Sequence, residues 1–278
     1  MTQQASGYSL SPARLLSLTQ TIMIVIVLVL MSIPSALPSS GNQALKGLHG
    51  APNIYQLTND LPCGATWEKI GANPIGAIAI AYGNGLYVAV GNRAIVTSPD
   101  GVFWTTRDTT IAYWGLPSVT WSGNQFVVVK GNTILTSLDG ITWNHSDTGA
   151  YVVSDLRGVT WGGNQFVAVG YLGQILTSPD GMTWTPRESG TSMSLTGVSW
   201  GNSQFVVVGG TILTSSDGVT WTPRDSNSWH PEKIAWGNGQ FVAVGQSGLI
   251  LTSPDGLMWT QRDWGTFPGS FPGFSSVA

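Results

Sequence analysis

The heptapeptide Ser-Xaa-Asp-Gly-Xaa-Xaa-Trp occurs five times, at Ser98–Trp104, Ser137–Trp143, Ser178–Trp184, Ser215–Trp221 and Ser253–Trp259, at intervals of about 37–41 residues. A fixed period of this length restricts the chain to repeat architectures. Each copy is one small supersecondary unit that cannot bury both of its faces alone, so neighbouring units must cover one another.

The period also fixes what each unit contains. A short apolar run ends in an aromatic residue at Tyr82, Trp121, Trp161, Trp200 and Trp236. A Gly/Asn turn follows, of the kind that accepts the positive φ angles of tight hairpins. The second run is Tyr87–Val90, Phe126–Val129, Phe166–Val169, Phe205–Val208 or Phe241–Val244. It is apolar on both faces, as in a strand sandwiched between sheets. A third run (Ile95–Thr97, Ile134–Thr136, Ile175–Thr177, Ile212–Thr214, Ile250–Thr252) leads into the Ser-Asp-Gly turn and a fourth strand beyond the Trp. Four short antiparallel strands per unit predict an all-β chain: a β-propeller of five complete four-stranded blades. A β-solenoid is the competing architecture, but its coils are shorter and lack four turn signals per period.

Within the repeated turn, Asp100, Asp139, Asp180, Asp217 and Asp255 are expected to accept backbone N–H bonds, with Gly supplying the last position. The following Trp104, Trp143, Trp184, Trp221 and Trp259 are the apolar wedges between blades. Both roles are structural. The segment Ile54–Gly71 reads as a worn third-and-fourth-strand pair, with Cys63 where the Asp belongs, and forms an N-terminal half-blade.

The turn resembles the Asp box, or bacterial neuraminidase repeat, of sialidase-like propellers and photosystem II assembly factor-like proteins. The resemblance covers Gly64–Asp263. The box of that superfamily is Ser-Xaa-Asp-Xaa-Gly-Xaa-Thr-Trp, and every copy here lacks the residue between Asp and Gly. The resemblance implies a propeller and little about activity, because such boxes occur in enzymes, lectins and scaffolds alike. Sialidase activity would imply three arginines around the substrate carboxylate, a tyrosine nucleophile paired with glutamate, and an aspartate acid/base. Only Arg93 and Arg157 lie outside the repeated positions of the propeller, and the Arg-Ile-Pro signature is absent.

Composition narrows the partners. A net charge of -3 and only 9% charged residues leave no basic stripe for nucleic acid. The single cysteine excludes an intrachain disulfide, and His49, His145 and His230 are too scattered to suggest a metal site. Neither a cofactor nor a metal is expected.

Residues 1–38 read as a signal peptide or membrane anchor. The unbroken apolar run Ile22–Met31 follows Arg14, and a small, Pro-containing stretch succeeds it. Either reading places the remainder outside the cytoplasm, secreted or anchored by a transmembrane segment, and confines membrane contact to this segment. Residues 39–60 read as a flexible linker, 61–264 as the propeller and 265–278 as a disordered tail. A monomer is expected.

Subtracting the repeat leaves the candidates for function. Asp108, Glu188, Asp225 and Asp263 each follow an Arg (Arg107, Arg187, Arg224, Arg262), a recurrence expected of surface ion pairs. The loops joining one unit's fourth strand to the next unit's first do not recur. They carry Tyr113, Trp114, Tyr151, Asp155, Arg157, Met193, Trp229, His230, Glu232 and Lys233. In a propeller these loops share one face with the second-to-third-strand turns, from which Arg93, Lys130 and Tyr171 add to the set. Exposed aromatic rings beside a few polar groups suit sugar or peptide binding; alternatively the rings seal the channel. The expected function is therefore an exported, non-catalytic propeller that binds a glycan or protein. The alternatives are a glycoside-active enzyme using Asp155 and Glu232, and an assembly scaffold without a ligand site.

Overall fold

The computed structural model describes residues 76–109, 115–146, 155–224, 226–262 and 277, with the backbone of 55–56 and 68–69. The leader, most of the linker, Cys63 and the tail apart from Val277 lie outside the described residues. No helix among the described residues is long and apolar enough to cross a membrane.

A two-residue pair comes first, β1 (Tyr55–Gln56) against β2 (Glu68–Lys69), antiparallel with Tyr55 opposite Lys69. Five four-stranded antiparallel meanders follow. Blade I is β3 (Ala79–Gly83), β4 (Leu86–Val90), β5 (Ile95–Ser98) and β6 (Thr105–Asp108). Blade II is β7 (Ser118–Trp121), β8 (Phe126–Lys130), β9 (Thr133–Ser137) and β10 (Asn144–His145). Blade III is β11 (Leu156–Gly162), β12 (Gln165–Gly170), β13 (Ile175–Ser178) and β14 (Thr185–Arg187). Blade IV is β15 (Leu195–Gly201), β16 (Gln204–Gly209), β17 (Ile212–Ser215) and β18 (Thr222–Arg224). Blade V is β19 (Pro231–Gly237), β20 (Gln240–Gly245), β21 (Ile250–Ser253) and β22 (Thr260–Gln261).

The first strands of all five blades line one central cavity of about 310 Å³, so the units stand around a shared axis and are not stacked in a line. This arrangement follows from the doubly apolar second strands. On β12, Phe166 and Ala168 pack against blade II, while Val167 and Val169 pack against blade IV. Phe126, Phe166, Phe205 and Phe241 have no exposed surface. Burying such a ring contributes roughly 1.5–3 kcal/mol. The rings of Phe126, Phe166 and Phe205 each sit between two indoles of their own blade. Trp161 and Trp184 flank Phe166 at 4.5 and 6.3 Å, and Trp200 and Trp221 flank Phe205 at 4.4 and 6.3 Å. Blade I departs from this pattern, with Tyr82 and Tyr87 4.7 Å apart in place of Trp and Phe.

The repeated turn does what its residues predict. In blade III the Ser178 hydroxyl donates to Asp180 Oδ1 at 3.0 Å, and the Gly181 N–H donates to Ser178 Oγ at 2.8 Å. Asp180 Oδ1 also accepts the N–H groups of Met182 and Thr183, both at 2.9 Å. Trp184 Nε1 donates to the Gly181 carbonyl at 3.0 Å, which satisfies the indole while its rings are buried. The same network recurs in every blade, and Gly181 adopts φ +72°, where a side chain would be strained. The recurring arginines spend Nε on the third strand of their own blade: Arg107 on Thr97, Arg187 on Thr177, Arg224 on Thr214 and Arg262 on Thr252.

Two ties between blades are invisible in any single repeat. Gln125, just before β8, and Gln165, at the start of β12, donate Nε2 to the carbonyls of Asp180 and Asp217 in the next blade, at 2.6 and 2.7 Å. Gln204 does the same to Asp255. Lys130, only 1% exposed, reaches back to the Gly91 and Asn92 carbonyls of blade I at 3.1 and 2.7 Å.

Replacing Trp184 by Ala empties a wedge and should lower unfolding free energy by about 3–5 kcal/mol, measured by urea denaturation. Asp217 offers a second prediction. Backbone N–H bonds from Thr220 and Val219 hold its carboxyl down from 3.8 to about 2. The unfolded chain therefore binds this proton more tightly, and the stability it contributes is present above pH 3.8 and lost as pH falls towards 2. Asp217→Asn, which keeps an acceptor but does not titrate, should flatten part of the fall in urea midpoint between pH 4 and pH 2. Asp217→Ala should cost about 1 kcal/mol at pH 7.

Candidate functional site

The loop face is defined by backbone hydrogen bonds between the two sets of connections. The Tyr171 N–H, in the second-to-third-strand turn of blade III, donates to the Asp155 carbonyl, and the Leu156 N–H donates to the Gly131 carbonyl. In blade IV the Gly210 N–H donates to the Ser194 carbonyl. Incoming loops and second turns thus share one end of the ring. The Ser-Asp-Gly turns occupy the opposite end of each third strand.

Two clusters stand on this face. On blade III, Arg157 Nε pairs with Asp155 Oδ2 at 3.0 Å, and the guanidinium carbon lies 4.0 Å above the centre of the Tyr171 ring. A planar cation clamped between a carboxylate and an aromatic face is held in one orientation. Tyr171 is placed for this by a 3-10 turn, Tyr171–Gly173, in which Leu172 takes φ 55°.

On blade V, Trp229, His230, Glu232, Gln246, Ser247 and Gln261 line an open cleft of about 510 Å³. Glu232 accepts a hydrogen bond of 2.7 Å from Gln246 Nε2, and Gln246 sits on the 3-10 turn Gln246–Gly248 equivalent to that of Tyr171. Trp229 is half-buried: one part packs on the blade IV–V core, and its remainder lines the cleft. It both seals the core and furnishes the flat apolar wall.

Lys233 joins the clusters. Its neighbours in register are Ala79, Ser118, Gly158 and Gly197, small residues where the inner strands approach closely. A β carbon added at Gly197 would lie 3.2 Å from the Cα of Lys233. The lysine side chain lines the central cavity and crosses it, placing Nζ 3.4 Å from the carbonyls of both Arg157 and Thr196. Burial, reinforced by the charge of Arg157, pulls its pKa from 10.5 down to about 8.

Of the residues expected from the sequence, Asp155 and Arg157 are brought together on blade III, and Trp229, His230 and Glu232 on blade V. Tyr113, Trp114 and Tyr151 lie outside the described residues. Met193 is exposed on blade IV. Lys130 is internal and ties blades I and II, so it is not on offer to a ligand. Gln246 was missed by sequence reasoning, although its place after the second strand, matching Tyr171, was available as a signal. Among the described residues no three His, Cys, Asp or Glu side chains come together as metal ligands would.

No family model matches the chain, and no curated protein matches it in sequence. Solved structures do match. Ycf48 bound to a D1 peptide superposes with a TM-score of 0.53 at 19% identity, covering 67% of this chain and 67% of that one. Ycf48 from Cyanidioschyzon merolae gives 0.53 at 18% identity, over 72% of this chain and 76% of that one. A virginiamycin B lyase from Staphylococcus aureus gives 0.58 at 13%, over 68% and 70%, and a nidogen/laminin complex gives 0.53 at 12%, over 73% and 86%. At such identities the likeness is one of fold. The chain is an all-β protein of propeller type.

The enclosed lysine makes a prediction. Because the folded state holds this proton less tightly than the unfolded chain, it is penalised below about pH 8, and the penalty disappears as pH rises to 10.5. Lys233→Met should therefore raise the urea midpoint at pH 7, with the gain shrinking towards zero at pH 10.5. A gain independent of pH would show that the charge is not its source.

Proposed function

We propose that the chain is an extracytoplasmic, non-catalytic propeller of the Asp-box type that binds a segment of a protein partner across its loop face. The blade V cleft carries this reading. It sets a flat apolar wall, Trp229, beside an imidazole, His230, and the Glu232–Gln246 pair, which can exchange hydrogen bonds with a peptide backbone. The Arg157–Tyr171 platform on blade III offers a second contact on the same face. Solved propellers of similar fold include Ycf48 with a D1 peptide and nidogen with laminin, which favours a polypeptide over a sugar. The sequence of residues 1–38, read as a leader, supports a place outside the cytoplasm, where a rigid platform on a tether suits a capture or assembly role.

Glycoside hydrolysis through Asp155 and Glu232 is the less favoured reading. Asp155 is tied to Arg157 on blade III and Glu232 to Gln246 on blade V, with blade IV between, so the two belong to separate clusters.

The test is selection of a random peptide library on the immobilised propeller, run beside a glycan array. We expect enriched peptides whose binding falls at least tenfold in Trp229→Ala and Glu232→Gln and is unchanged in Thr222→Ala, on an outer strand. Sugar binding without peptide enrichment, or peptide binding indifferent to both loop variants, would overturn the peptide reading.

A further inference from the structure

Two lysines are drawn into the fold, and they are held differently. Lys130 is 1% exposed, and its Nζ donates to the Gly91 and Asn92 carbonyls at 3.1 and 2.7 Å, the distances of ordinary hydrogen bonds. It does not line the central cavity. Lys233 does, and its Nζ stands 3.4 Å from each of two carbonyls, beyond the usual range. One ammonium is tied; the other is loosely seated beside open space.

Both acceptors of Lys233 lie at bulges. The pairing of β11 with β12 passes over Arg157, that of β15 with β16 passes over Thr196, and the carbonyls of these two residues reach Nζ. Arg157 lays its guanidinium on Tyr171 at the loop face, so the amine lies just inside that face. The cavity of about 310 Å³ beside it is lined by the hydroxyl-bearing Ser118, Thr120, Thr160, Thr196 and Ser199, and by no carboxylate among the described residues.

Such a setting changes what a lysine can do. The charged groups that act on Nζ are Arg157, which opposes a second positive charge, and Glu232, whose weaker attraction favours it. Burial, the larger cause, adds to the effect of Arg157, and the proton is held less tightly than in water. At a pKa of about 8, roughly one amine in ten is neutral at pH 7, against roughly one in three thousand at 10.5. A desolvated lysine beside a second cation is the setting in which the amine becomes a nucleophile towards carbonyl carbon. Packing does not call for it, since the other blades place small residues here and the charge lowers stability at pH 7. A residue of that kind is better explained by its chemistry.

We propose that Lys233 is a covalent binding site, whose amine captures a small aldehyde in the central cavity as an imine, separately from any peptide bound on the loop face. The lone pair of the neutral Nζ forms the bond to the carbonyl carbon. The carbonyl π pair moves onto oxygen, which takes one amine proton and becomes a hydroxyl. The C=N bond then forms as that hydroxyl departs with the second amine proton as water. Hydrolysis reverses the same steps, and no oxidant or reductant enters. The cavity volume limits the ligand to a small molecule, and the hydroxyl lining suits one bearing hydroxyl groups of its own.

The test is peptide mass mapping of the full chain after incubation at pH 7 with glycolaldehyde and sodium cyanoborohydride. The reductant passes hydride to the imine carbon and fixes the adduct as a secondary amine. The chain has four lysines, Lys46, Lys69, Lys130 and Lys233. Lys233 should be labelled at least tenfold faster than each of the others. Relative to N-acetyl-lysine methylamide in the same tube, its labelling should be steady below about pH 8 and lose its advantage towards pH 10.5. Dextran aldehyde, too large for the cavity, should label the free amine and spare Lys233. Lys233→Met should remove the fast label, and should that variant fail to fold, the rates on the unaltered chain decide alone. Labelling of Lys233 no faster than of Lys130 would overturn the proposal. So would equal access of dextran aldehyde to Lys233 and to the free amine, which would put Nζ on an open surface.

Discussion

The fold depends on how closely one first-strand tryptophan approaches the neighbouring blade. Trp121, Trp200 and Trp236 lie against Gly83, Gly162 and Gly201 of the preceding blade, so closely that an added methyl group would overlap the indole. The glycine is a slot and the indole its key. Once they engage, the phenyl ring of the second strand is trapped between its blade's two tryptophans, and the valine rows of adjacent sheets come into register. Between blades II and III Ser122 holds the slot position, where Trp161 joins the same core. The repeat is therefore conserved in shape more strictly than in composition.

Much of this was legible in the chain, for a physical reason. A unit buried on both faces must carry apolar residues on both, so its second strand reads as an unbroken run, and a turn that uses one Asp for three bonds repeats that Asp in every copy. Strand order, turn chemistry and wedging indoles thus follow from five copies of one motif. The Gln latches were harder to see. Gln125, Gln165 and Gln204 recur before the phenylalanine, but their partners sit in another unit more than fifty residues away. The bulges between Leu156 and Gly158, Leu195 and Gly197, and Pro231 and Lys233 leave no mark in hydropathy at all.

The candidate site was legible by contrast. Residues that break the repeat sit where the scaffold does not need them, and this brought Asp155, Arg157, Trp229, His230 and Glu232 to one face. What composition could not supply is grouping. Arg157 is engaged locally by Asp155 and Tyr171, while Glu232 turns to Gln246, so one list resolves into two clusters on alternate blades. Lys233 is the counterexample: it breaks a column of small residues yet points across the cavity, where it meets backbone carbonyls of blades III and IV.

The Gln-to-turn latch has a direction. Blades II, III and IV each donate to the blade after them, while blade I has Leu86 at that position, so a run of latched blades has two unlike and complementary ends. Contacts of this head-to-tail kind have only two outcomes, a closed circle or a growing polymer. An uncovered end of such a run would be felt first as self-association, before any loss of the blades themselves.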